Sequence, residues 1–218
     1  MIYKYFGGFL LFCAMLQAQE YIIDNTHSSV SFGVKHLSVA DTIGHFQDFS
    51  GTLDIESNII KNLQGRVVIS SITTFNSARD EELLTKDFFY TKEATLQSLS
   101  FNNNTLHANL TINNISEEVV FKVKITGPIR NPSLDLKEKN TNPNPFMSQP
   151  TNLPFKSEHF STKDNDADCG CYVSYGDNVI GVELTGSINR FDFNIAKTTP
   201  KELLGQDVNI KIILEASN

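Results

Sequence analysis

Residues 105–125 read TLHANLTINNISEEVVFKVKI. Leu106, Ala108, Leu110 and Ile112 alternate with polar neighbours, and so do Val119, Phe121, Val123 and Ile125. That period of two places each apolar set on one face of a β-strand, with Asn, Lys, Thr and Ser on the other. Asn113-Asn114 lies between the two runs, and asparagine tolerates positive φ, so the stretch predicts a tight antiparallel hairpin with one wet face.

The same alternation recurs on both sides of this hairpin. Val30, Phe32 and Val34 share a face upstream. Downstream come Val182, Leu184, Gly186 and Ile188, then Val208, Ile210, Ile212 and Leu214. Helix is scarce: a segment capped by Ser77 and running through Leu84, with Asp80, Glu81 and Glu82 early in it, and a second short turn from Lys86 to Tyr90. Six of the seven prolines fall between Pro128 and Pro154, interleaved with asparagine. Such a stretch cannot be a central strand. We read residues 131–176 as an insertion over one end of an otherwise all-β domain of seven or eight strands. Alternation alone does not choose between a sandwich and a closed barrel.

The 218 residues carry 18 Lys plus Arg against 25 Asp plus Glu, a formal charge of -7, so a nucleic-acid backbone meets a repelling field. The chain has 16 Phe and no Trp, which suits a large apolar interior. Tyr5 to Leu16, after Lys4, is uncharged and too short for a bilayer span, which needs roughly 20 residues. It reads as the core of a signal peptide covering residues 1–18, followed by one domain over 19–218, and it predicts export to the periplasm.

Signatures for a hydrolase elbow, phosphate loop, dinucleotide turn and zincin helix are all missing, so a dedicated enzyme is disfavoured and no catalytic residues are assigned. His27, His36 and His45 recur every nine residues, a spacing that suits neither one helix face nor one strand face. They are three zinc ligands brought together by the fold, or two polar-rim histidines and one exposed one, and no metal is assigned. Asp164, Asp166 and Asp168 resemble the start of a calcium loop, but Cys169 and Tyr175 stand where such a loop needs Gly and Glu. Cys169 and Cys171 are the two cysteines left after export, and we expect them to pair as a disulfide. A redox- or metal-linked accessory role through this pair is the alternative to a binding function.

Several segments together resemble the YceI-like family. His27, Val30, Phe32, Val34 and His36 match its opening strand, and Gly44, Phe46, Phe49 and Gly51 match its G-x-F followed by F-x-G. Ser71 to Thr74 follow. Asn76, Arg79, Asp80, Leu83, Asp87, Phe88 and Phe89 resemble its helical segment, Leu110-Thr111-Ile112 its hairpin strand, and Gly186 to Phe193 its G-x-I-x-R-x-D-F strand. Glu82 stands where the family usually has His, Asn114 where a turn Gly is usual, and the proline after that turn is missing.

This resemblance implies an extended, lipocalin-like antiparallel β-barrel of about eight strands, which has room for side chains or one small ligand. It also implies a non-enzymatic carrier for an isoprenoid lipid, a polyisoprenoid or quinone-like amphiphile, with no cofactor besides that ligand. Phe32, Phe46, Phe49, Phe88, Phe89, Leu110, Phe121, Val123, Leu184, Ile188 and Phe193 are the candidate lining residues. His36, Arg79 and Asp80 are candidates for a polar mouth, where Arg meets a phosphate or quinone oxygen. Phe146, Met147 and Phe155 are candidates for a lid from the insertion. Transient membrane contact and a homodimer are left open.

Overall fold

The computed structural model describes residues 19–132, 134 and 176–218. Eleven strand segments form one antiparallel sheet. They are β1 (Gln19–Ile23), β2 (Ser29–His36), β3 (Ala40–Phe46), β4 (Phe49–Glu56), β5 (Ile59–Val68), β6 (Ile72–Thr73), β7 (Glu93–Asn102), β8 (Thr105–Ile112), β9 (Ile115–Arg130), β10 (Asn178–Asn189) and β11 (Leu204–Ser217). The pairing order β1-β4-β5-β7-β8-β9-β10-β11 returns from β11 to β1, which closes an eight-stranded barrel. β2, β3 and β6 continue β1, β4 and β5 past short breaks, so three barrel strands are bent and extended toward one end. The expectation of an extended antiparallel barrel holds, and closure leaves no sandwich.

Hairpin chemistry sets the register. Asn113 and Asn114 adopt φ of 54° and 62°, with Ile112 paired to Ile115 across them. Asn103-Asn104 and Ser57-Asn58 turn in the same left-handed conformation, which suits the right-handed twist of the flanking strands. These registers give the barrel two different ends. One carries the 57–58 and 103–104 turns and the two feet of the 131–176 insertion. There Asn131 N donates to Asp177 O at 2.8 Å, and Asn131 Nδ2 donates to Gly176 O at 3.0 Å. The other end carries the β2–β3 turn, the 74–92 connection, the Asn113–Asn114 turn and the 190–203 connection.

Helix α1 (Ser77–Leu83) corrects the sequence expectation at both ends. Its cap is Asn76, whose Oδ1 accepts from Arg79 N at 3.0 Å, so Ser77 is the first helical residue and Leu84 the C-cap. An asparagine one residue earlier offers the same acceptor with an extended backbone already in place. The expected second short turn forms over Lys86 to Phe88, and a 3-10 turn at Ile69–Ser71 lies between β5 and β6.

The core is uneven along the barrel. In the half next to the insertion, Leu53, Ile55, Ile60, Leu106, Ala108, Ile180, Val182, Leu184 and Ala216 pack together as a solid plug. In the half beneath α1 the interior residues, among them Phe46, Phe88, Phe89, Val208 and Ile210, are only partly buried. Burying the plug is what stabilises the closed barrel, at about 25 cal/mol for each Å² of apolar surface removed from water.

Candidate functional site: an apolar cavity under the helix

The half-buried interior holds a cavity of about 170 Å³. Cavities walled by carbon stay dry and take apolar guests. Its surface is almost wholly apolar.

Each wall follows from a strand period. β2 contributes Val30, Phe32 and Val34; β11 contributes Leu204, Val208, Ile210, Ile212 and Leu214; β4 and β5 contribute Phe49, Leu63 and Val67. Phe32 and Phe46 meet with ring centroids 5.8 Å apart. Their approach depends on Gly44, directly across from Phe32, where a Cβ would lie 2.2 Å from the Phe32 ring. Leu83, Phe88 and Phe89 close the cavity from the α1 side, and Ile195 closes it from the 190–203 connection.

Of the residues proposed from sequence, Phe32, Phe46, Phe49, Phe88, Phe89, Leu110, Phe121 and Ile188 line this cavity. Val123, Leu184 and Phe193 do not; they are buried in the packed core, with Leu184 in the plug. His36, Arg79 and Asp80 are not among the lining residues either. His36 is exposed at the end of β2, opposite Ala40. Arg79 Nε and Nη2 donate to Thr74 Oγ1 and O at 2.7 and 2.8 Å. Asp80 Oδ1 accepts from Thr74 N at 2.7 Å and from its hydroxyl. The hydrogen bond from the Thr74 hydroxyl is the main influence holding the Asp80 carboxyl below its ordinary pKa. The two side chains therefore fasten the helix to the strand end through Thr74.

The residue that sequence reasoning passed over is Arg190. It lines the cavity yet is 1% exposed. Nε donates to Gly205 O, Nη1 to Ile195 O and Ala196 O, and Nη2 to Thr199 O and Leu204 O, all within 3.0 Å. All five guanidinium N–H groups are thus used, and the ring of Phe191 lies 4.1 Å from Cζ. Burial lowers its pKa, but a guanidinium remains charged. The signal was present in the R of the G-x-I-x-R-x-D-F segment; nothing local said that the cation points inward.

His27, His36 and His45 do not converge. Among the described residues the one group able to hold a metal is Asp24, His27 and Glu215, on the outside of the barrel at the break between β1 and β2. His27 Nδ1 lies 2.8 Å from Asp24 Oδ2 and 3.9 Å from Glu215 Oε1. Asp164, Asp166, Asp168, Cys169 and Cys171 lie outside the described residues, as do Phe146, Met147, Phe155 and residues 1–18.

A closed eight-stranded barrel with one half solid and the other hollow and apolar defines a β-barrel of lipocalin-like build. The chain belongs to the YceI family: the YceI-like domain matches residues 21–216. A UPF0312 protein of Staphylococcus aureus (strain N315) is 30% identical over 207 residues, covering 91% of this chain and 97% of that protein. Among solved structures, a YceI protein of Campylobacter jejuni is 25% identical with a TM-score of 0.60, covering 92% of this chain and 98% of that one. A polyisoprenoid binding domain from Saccharophagus degradans, implicated in plant cell wall breakdown, shares the fold with a TM-score of 0.50 at 10% identity, covering 92% of this chain and 99% of that one.

Proposed function

We propose that this protein is an exported, non-enzymatic carrier that holds the hydrocarbon tail of an isoprenoid lipid in the cavity beneath α1. The observation that carries the reading is the cavity itself: apolar walls, a solid floor, and a cap made of Leu83, Phe88 and Phe89. The S. degradans domain of the same fold, described as polyisoprenoid binding, supports the ligand class. Each methylene moved from water into such walls contributes about 0.8 kcal/mol, so a branched hydrocarbon supplies its own driving force without a polar anchor. Shape and length then select among ligands.

Loading such a ligand calls for transient contact with a lipid surface. Leu37, Val39 and Leu203 are exposed together at the cavity's end of the barrel, where Leu37 N donates to Leu203 O at 2.9 Å, and they are the side chains suited to that contact. Export rests on the signal-like segment before residue 19. The test is lipid extraction and mass spectrometry of protein purified from its own host, with native mass spectrometry for stoichiometry. One prenyl lipid per chain is the expected result. A chain that is empty and also refuses added octaprenol overturns the reading.

A further inference from the structure

Among the described residues Gly44, Gly51, Gly65 and Gly186 face the barrel interior, each in step with inward-facing neighbours on its strand. Packing accounts for three of them. A Cβ at Gly44 would lie 2.2 Å from the Phe32 ring, at Gly51 2.3 Å from Gln64 O, and at Gly186 2.8 Å from the Phe121 ring and 2.9 Å from Val120 O. Gly65 is different. A Cβ there meets no atom nearer than Ser50 O at 4.0 Å, and its φ is not positive. A glycine inside a strand gives up side-chain packing and loses more chain entropy on folding than any other residue. Neither sterics nor backbone conformation in the protein alone compensates for that at position 65.

Its position supplies the reason. Gly65 pairs with Gly51 on one side and Leu96 on the other. The next inward residue on β5, Leu63, pairs with Leu53, which belongs to the plug. Leu63 and Gly65 both line the cavity, whereas Leu53 does not. Gly65 thus sits one step above the floor. Because Gly51 and Gly65 face each other without side chains, backbone of Ser50, Gln64 and Arg66 borders the cavity there, although those residues point outward.

We propose that Gly65 sets the length of hydrocarbon chain the cavity admits, by keeping the space above the plug free for the far end of the ligand. This deepens the isoprenoid reading and rests on it. A valine at 65 would occupy that space and shorten the cavity, while a short chain would still fit beneath the cap.

The experiment compares wild type, Gly65→Ala, Gly65→Val and the control Gly33→Ala, with octaprenol and farnesol as probes presented in detergent micelles and with melting temperatures of the ligand-free proteins. Gly33 faces outward, with nothing within 4 Å of its Cβ position. Losing burial of about two methylenes weakens octaprenol binding to Gly65→Val on the order of tenfold. Farnesol binding stays within a factor of about two, a shift below 0.5 kcal/mol. Gly65→Ala is expected to melt at or above wild type, because it narrows the unfolded ensemble without a clash, and to weaken octaprenol binding by a smaller factor. Gly33→Ala leaves both probes unchanged. Unchanged octaprenol affinity in both Gly65 variants, or equal loss of both probes, overturns the length role. Wild-type protein that binds neither probe overturns the lipid reading and this inference with it, a failure recognisable because it does not depend on residue 65.

Discussion

Tyr90 and Asn113 hold each other across the cavity's end of the barrel. Tyr90 Oη donates to Asn113 O at 2.6 Å, and Tyr90 N donates to Asn113 Oδ1 at 3.1 Å. Asn113 Nδ2 completes the knot by donating to Phe88 O at 2.7 Å and Phe193 O at 3.2 Å. One buried turn residue therefore ties the β8–β9 hairpin to the Phe88–Phe89 cap and to the start of the 190–203 connection. Ala196 N adds a parallel tie to Asp87 O at 2.6 Å.

Asn113→Ala removes the three side-chain bonds, bares Tyr90 N and Phe88 O on one connection and Phe193 O on the other, and leaves an alanine at φ 54°. Each buried polar group left without a partner costs about 1–3 kcal/mol and the left-handed backbone about 1–2 more, so we expect a loss of about 4 kcal/mol or more in urea unfolding. Asn113→Gly keeps the turn and is expected to lose less. Equal losses in the two variants would show that the backbone conformation contributes nothing.

The Asn113–Asn114 turn was legible in the sequence because its signal is local: asparagine pairs between two alternating runs. The barrel strands were legible for the same reason. The far partners of Asn113 were not, since Phe88 and Phe193 lie 25 and 80 residues away. The cavity was half legible. Period-two alternation marks Phe32, Phe121 and Leu184 alike as inward, but only the division between plug and hollow separates Leu184 from the other two. His36, Arg79 and Asp80 look like a polar mouth in sequence because charge near a helix start is ambiguous. Thr74, five or six residues upstream, accepts from Arg79 and donates to Asp80.

Arg190 is the test of how far the 190–203 connection depends on one buried cation. Lysine keeps the charge but offers three donors from a single atom and cannot reproduce a planar fork aimed at five carbonyls. Arg190→Lys is expected to cost about 3 kcal/mol or more, since bonds from charged donors are worth roughly 1.5–3 kcal/mol each. Chemical denaturation measures it. A variant within 1 kcal/mol of wild type, on the scale set by exposed pairs, would mean that water replaces the carbonyl contacts.

Gly186 and Phe121 are directly paired on β10 and β9. Gly186→Ala places a methyl group against both the Phe121 ring and Val120 O, and the backbone atom cannot rotate away. Overpacking of this kind costs about 1–3 kcal/mol. Phe121→Leu in the same chain should recover only the ring's share, so a double-mutant cycle is expected to show coupling of about 0.5–2 kcal/mol. Strict additivity would place the strain wholly on the backbone contact.

The Asp24–His27 pair makes the β1–β2 break sensitive to pH. The hydrogen bond with Asp24, followed by the charges of Asp24 and Glu215, raises the His27 pKa. Burial works against ionisation of Asp24, but its hydrogen bonds from His27 and Thr26 win and hold it below the ordinary carboxylate value. The His27 contribution is therefore fully present below its unfolded pKa of about 6.5, and it fades as pH rises through the higher folded value. The Asp24 contribution is present above its unfolded pKa of about 3.9, and it fades as pH falls through the lower folded value. Between these limits both act together. The melting-temperature difference between wild type and His27→Gln should accordingly be greatest between about pH 4 and 6.5 and shrink above that window. Because His27 is solvent-facing, added salt should shrink it as well. A difference that grows as pH rises past neutrality would mean that neutral His27, and not the imidazolium, is the form the fold prefers.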